Sequence, residues 1–375
     1  MLMKKIRASK ITSLAALVAI ALGSTAYATQ YTVTPLGTLG GTSTYVQGIN
    51  STGELVGESL NSAGNDNAFL YSNGVLTNLG TLGGTYSYAQ AINSSGQAVG
   101  YSTNSAGIDT AFLYSNGGLT NLGTLGGTSS LATGINSTGQ VVGWADNSAG
   151  NANAFLYSNG GLTNLGTLGG PYSVANGINS LGQVVGYAYN SAGNYDAFLY
   201  SNGTMTSLGT LGGQYSEANA INSSGQVAGW ADNSTGGYDA FLYSNGAMTN
   251  LGTLGGTGSD AQGINSSGQV VGWSLNSVGN WNAFLYSNGV MQNLNSLIGS
   301  ASSEYTLTSA VGINTNGQIA VNGTITATGQ SMGFLLTPVN STSSAAVPAP
   351  ETLGLLAAAM AGLLVMRRKR VSLPS

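Results

Sequence analysis

The 375-residue chain contains no cysteine and no histidine, and only 5% of its residues are charged. Without cysteine there is no disulfide, no thiolate nucleophile and no cysteine-type zinc site. Without histidine, the commonest general base and the commonest metal ligand are gone. Basic residues are missing from almost the whole chain. Lys4, Lys5, Arg7 and Lys10 stand at one end, Arg367, Arg368, Lys369 and Arg370 at the other, and nothing from Ile11 to Met366 is basic. That stretch carries all twelve acids. A basic nucleic-acid footprint is therefore excluded there, as is a cationic clamp for phosphate-rich substrates.

Glycine is what the chain has in excess, at 59 residues, beside 42% hydrophobic residues. That apolar share is enough for a buried core, so the composition argues against simple disorder.

The two ends read as addresses. Residues 1–28 form an expected signal peptide: a basic start, an apolar run from Ile11 to Leu22, and small residues at Ala26 and Ala28 for cleavage after Ala28. Residues 341–347 are a small-residue linker. Then Val347-Pro348-Ala349-Pro350-Glu351 is followed by the apolar stretch Thr352–Met366 and by Arg367, Arg368, Lys369 and Arg370. This reads as a short membrane helix with a cytoplasmic basic stop, at or below the ~17-residue lower limit for a full span. The order of these features over 348–370 resembles the PEP-CTERM sorting signal, with Pro-Ala-Pro-Glu in place of the family's Pro-Glu-Pro. The resemblance implies transient inner-membrane anchoring and handling by an exosortase in a Gram-negative bacterium, with 371–375 left as a cytoplasmic tail.

Between the ends the chain repeats itself. Leu-Gly-Thr-Leu-Gly-Gly begins at Leu36, Leu79, Leu122, Leu165, Leu208 and Leu251, every step being 43 residues, with a degenerate copy at Leu294. Ile-Asn-x-x-Gly begins at Ile49 and recurs up to Ile313, and Ala-Phe-Leu-Tyr-Ser-Asn-Gly carries its Phe at 69 and onward to a decayed copy at Phe334. One period predicts four short strands, such as 174–179, 183–187, 197–200 and 205–210, with Ser201-Asn202-Gly203 as a hairpin turn. No helical apolar period occurs in it.

Four strands in 43 residues have the size of a propeller blade. The phase of the ends adds to this: the expected mature chain opens with a lone fourth strand at 31–39 and ends with a third strand at 333–337. Together they complete one blade and would close a ring, removing exposed sheet edges. The expected fold is all-β, a seven-bladed β-propeller over 29–340 closed by its N- and C-terminal strands; a β-solenoid is the alternative. The period resembles the HAF repeat of bacterial extracellular proteins. The family's histidine before Ala-Phe is here Asn67, Thr110, Asn153, Asp196, Asp239 and Asn282. The resemblance implies export and architecture, not a reaction.

In such a blade the turns Ser-x-Gly-Gln and Ser-Asn-Gly share one face and hardly vary among the copies. The second-to-third and blade-to-blade loops share the other face and do vary. Most acids map to the variable face, together with Tyr101, Trp144, Tyr187, Trp230 and Trp273 at the ends of second strands, and Trp281 nearby. Flat aromatics stack on sugars while Asp146, Asp232 and neighbouring Asn bond hydroxyls, so these eight residues are the candidate ligand-binding set. The competing reading is that they pack between blades. No cofactor is expected; Asp146-Asn147 and Asp232-Asn233 leave a structural calcium ion open, but no EF-hand spacing occurs. Catalysis could rest only on paired carboxylates, and no pair stands out.

The expected function is that of an exported, non-enzymatic surface or extracellular-matrix protein that binds exopolysaccharide, with signal peptidase and exosortase as processing enzymes and no nucleic-acid partner. A polysaccharide-degrading propeller and a ligand-free surface protein are the alternatives.

Overall fold

The computed structural model describes residues 29–339. The expected signal peptide, the linker, the PEP-CTERM-like segment with its helix, and the tail lie outside the described residues. Among the described residues, no helix is long and apolar enough to cross a membrane.

Residues 31–338 form seven four-stranded antiparallel blades. In the first blade the strands are Gly40–Ile49, Leu55–Asn61, Asp66–Ser72 and Val75–Asn78, paired in chain order. The same meander recurs over 83–121, 126–164, 169–209, 212–250 and 255–293. A single parallel bridge, Tyr238 to Gly258, ties the fifth blade to the sixth. The seventh blade contains Tyr305–Ile313, Ile319–Ile325 and Gln330–Pro338, and its outer strand is the N-terminal Tyr31–Pro35. That strand pairs antiparallel with Gln330–Pro338, Val33 opposite Leu336. The fold is the seven-bladed propeller, closed by its two ends as the phase of the repeat predicted.

Each element has a local cause. The Ser-Asn-Gly turns put both central residues at positive φ, Asn73 at 51° and Gly74 at 83°, as a two-residue hairpin loop requires. The glycine in the middle of each second strand allows close approach of the first strand: a Cβ on Gly100 would overlap the carbonyl oxygen of Tyr88. The second strands are apolar on both faces because a blade is sandwiched between two others. Hydrophobic clusters accordingly straddle blade junctions; one joins Val99 and Ala111 of the second blade to Val141 and Phe155 of the third. The seven repeat phenylalanines, from Phe69 to Phe334, are wholly buried. Each contributes about 2–3 kcal/mol of burial.

Two polar latches join neighbouring blades. Ser87 Oγ accepts the main-chain N–H of Ala68 at 2.9 Å and donates to the carbonyl of Gly80 at 2.6 Å, and Ser130, Ser173, Ser216 and Ser259 repeat the bond to the preceding blade. On the face of the unvarying turns, Asn50 Nδ2 donates to the carbonyl of Asn93 at 3.1 Å, Asn93 to Asn136, and so on around the ring. These asparagines are buried. Their Oδ1 atoms cap their own turns, as Asn136 does for the N–H groups of Thr138 and Gln140. Repetition of Ile-Asn-x-x-Gly thus has a structural cause.

Three boundaries differ from expectation. The first strands start earlier, at the Gly-Gly pair of Leu-Gly-Thr-Leu-Gly-Gly, as in Gly169–Ile178, because the lone Leu168–Asn190 bridge seats that segment beside the second strand. The second strands run on to their Asn, as in Val184–Asn190, so Tyr101, Trp144, Tyr187, Trp230 and Trp273 lie mid-strand and not at strand ends. The degenerate copy at Leu294 folds into a short 3-10 helix, Leu294–Ser296, whose leucine packs in the core of the last blade junction.

Candidate functional site

The meander carries the second-to-third loops and blade-to-blade loops to one face of the disc. Register then decides which side chains meet there. Trp230 pairs with Ala240 on one side and Glu217 on the other, and Tyr238 starts the next strand opposite Asp232. Alternation along the strands places these residues on the same side of the blade. The same register sets Trp273 opposite Asp260, with Trp281 opposite Leu275.

The outcome is a continuous arc of nine aromatic rings over the fourth, fifth and sixth blades. Tyr172 leads through Tyr189 to Tyr195, which also meets Tyr187 and stacks on Tyr215 at 4.8 Å. From Tyr195 the contacts pass to Trp230 at 6.2 Å, Tyr238 at 5.7 Å, Trp273 at 5.9 Å and Trp281 at 4.1 Å. Most of these rings are half-buried, but Tyr172 is 43% and Trp281 50% exposed. The arc is thus both packing between blades and an aromatic surface.

The structure divides the candidate residues. Tyr187, Trp230, Trp273 and Trp281 belong to the arc. Tyr101 lies apart from it, stacked at 4.9 Å on Tyr88 in the second blade. Trp144 stands in the third blade, outside the arc. Asp146 and Asp232 serve their own loops: Asp146 accepts from Thr128 Oγ1 and the N–H of Ser129, and Asp232 from the N–H of Tyr215. Among the described residues, no group of three or more acidic side chains is placed to hold a metal ion.

Three carboxylates emerge that residue spacing did not single out. Glu58 and Glu217 are half-buried and Asp260 is 8% exposed. Burial raises the Glu58 carboxyl to about 7, against the Gln47 amide that bonds it and with Asp66 adding to the rise. Burial also raises Glu217, opposed by Asn176 and Trp230. Asp260 is raised well above its ordinary value by burial and by Glu217. Asp66 in turn accepts from Tyr88 Oη at 3.2 Å. The signal for these acids was their departure from the other copies at the same repeat position, Leu131 and Val174 standing where Glu217 and Asp260 do.

No protein-family model and no curated protein matches the chain. Solved structures similar to it include TolB from Acinetobacter baumannii, at 13% identity over 82% of this chain and 80% of that one, TM-score 0.39. A puromycin-hydrolyzing peptidase of Mycobacterium tuberculosis is similar at 10% identity over 77% of this chain, which spans about half (52%) of that one, TM-score 0.49. A mutant of Aleuria aurantia lectin in complex with Fucα1-6GlcNAc is similar at 12% identity over 80% of this chain and 98% of that one, TM-score 0.36. At these identities and scores the likenesses carry no argument about ligand or activity.

Proposed function

We propose that the protein is an exported, HAF-like propeller that binds neutral polysaccharide through the aromatic arc of its fourth to sixth blades. The arc is the observation that carries this reading: contiguous rings, two of them well exposed, on the face whose loops differ from blade to blade. Aromatic faces pack on the apolar faces of sugars, and loops on a rigid scaffold supply the differences that specificity needs. The absence of Lys and Arg from Ile11 to Met366 disfavours acidic polymers. In this reading signal peptidase cuts after Ala28, an exosortase handles the segment around Pro350 and Glu351, and the product works at the cell surface or in the matrix. The test is size-exclusion chromatography of the full chain, purified from a Gram-negative host, with matrix polysaccharide. Co-elution with undegraded polymer supports binding; no change in either elution defeats it.

A second reading rests on Glu58. A carboxyl raised to about 7 beside Asp66 has the form of a general acid next to a second carboxylate. In that case the polymer would shorten during the same experiment, and Glu58→Gln would stop the shortening.

A further inference from the structure

The first strands of all seven blades line an open cavity of about 400 Å³ on the propeller axis. We propose that this cavity binds a primary ammonium group. The site adjoins the aromatic arc, since Glu217 stands opposite Trp230 and Asp260 opposite Trp273, but the proposal does not rest on polysaccharide binding there.

On the third to sixth blades the wall is built largely of acceptors. Asn176 lines the cavity, and its amide N–H groups bond Glu217 Oε1 at 2.9 Å and the carbonyl of Ala218 at 3.0 Å. Asn219 repeats this one blade on, with Asp260 Oδ1 at 2.8 Å and the carbonyl of Ala261 at 3.0 Å. Both partners of each amide are acceptors, so neither amide can turn over without setting oxygen against oxygen. The nitrogens are committed and the Oδ1 atoms are left with no protein donor among the described residues. Gln262 likewise gives Nε2 to Asp260 Oδ2 at 2.6 Å. Thr133 gives its hydroxyl proton to the carbonyl of Ala175 at 2.7 Å, leaving its lone pairs. Glu217 itself lines the cavity.

Charge points the same way. Asp260 and Glu217 are withdrawn from water, yet no Lys, Arg or His exists among the described residues to balance them. Buried carboxylates call for a counter-charge or a proton. A positive, donor-only group suits this part of the wall, and an ammonium group offers three donors and no acceptor. A metal ion fits less well, since no three acidic side chains converge. Free polyamines and amino-sugar residues both present this group at a size the cavity admits.

Calorimetry on the full chain at neutral pH tests the assignment, with three probes: 1,4-diaminobutane, a glucosamine hexamer, and the fully N-acetylated hexamer. At least one amine probe should bind, and Asp260→Asn should weaken its binding while leaving that of the acetylated hexamer unchanged. Binding of the diamine assigns a free polyamine as the source, and binding of the glucosamine hexamer alone assigns an amino-sugar polymer. Asp260→Asn and Glu217→Gln should each weaken amine binding about tenfold without lowering the melting temperature. Thr133→Val should weaken it less. Asp146→Asn, which removes an equal charge away from the cavity, should leave it unchanged, and so should Trp281→Ala. Failure of both amine probes, an equal loss of acetylated-hexamer binding in Asp260→Asn, or equal losses of amine binding from Asp146→Asn and Asp260→Asn would overturn the proposal.

Discussion

Asn314 Nδ2 donates to the main-chain oxygen of Asn50 at 3.1 Å, joining the last blade to the first across 264 residues of chain. It is the seventh bond of the asparagine ring, and it has the same geometry as the bonds between blades adjacent in sequence. Asn314 also caps its own turn, accepting from the N–H groups of Asn316 and Gln318 at 3.0 Å. Asn314→Ala takes one of two donors from the Asn50 carbonyl, which keeps the N–H of Gly53, and leaves two turn amides without their acceptor, at a cost of about 2 kcal/mol. Asn136→Ala should cost the same, because the ring does not distinguish a closing junction from an internal one. Thermal unfolding of the two variants checks this, with losses of several degrees expected for both.

Deleting residues 29–35 removes the outer strand of the seventh blade and bares the edge of Gln330–Pro338. A free edge with Leu336 and Phe334 behind it is a template for another chain. The shortened protein should form larger species in light scattering at concentrations where the intact chain stays monodisperse.

Polysaccharide affinity should follow the arc. Trp281→Ala removes a half-exposed ring and should weaken binding about tenfold, ~1.4 kcal/mol, with little change in stability. Trp230→Ala should weaken binding and stability together, since that ring also packs between blades. Trp144→Ala should leave affinity unchanged. Equal loss from Trp144 and Trp281 substitutions would show that the arc is not the binding surface.

Glu58 makes stability depend on pH. Its carboxyl rises from 4.5 to about 7 on folding, so the folded state holds the proton more tightly than the unfolded chain. Its favourable contribution is complete below pH ~4.5 and is lost as pH rises towards 7, up to about 3 kcal/mol. Glu58→Gln should flatten the denaturation midpoint over this window, most visibly between pH 5 and 7. An unchanged slope would mean that the carboxyl is well solvated.

Trypsin should find nothing to cut between Lys10 and Arg367, even after heat unfolding, because the intervening chain has no Lys or Arg. Mass spectrometry of the digest should return that stretch as one piece, trimmed only at its ends.

The architecture was legible in the order of residues because it depends on local spacing. A 43-residue period, Asn-Gly pairs at turns and a fourth strand placed ahead of the first blade determine blade size, hairpins and closure. Binary pattern and turn chemistry act over a few residues, and repetition multiplies their signal. The division of the variable face was not legible in this way. Tyr195 and Trp230 are 35 positions apart and belong to different blades, and only the packing of one blade on the next brings them into contact. Trp144 occupies the same repeat position as Trp230, yet the tertiary structure leaves it outside the arc. The axial cavity follows the same logic: Asn176 and Glu217 meet because adjacent first strands converge on the axis, and the direction in which the amide faces is set by that neighbour. Chain order determined the ring, and contacts between blades decided what the ring presents.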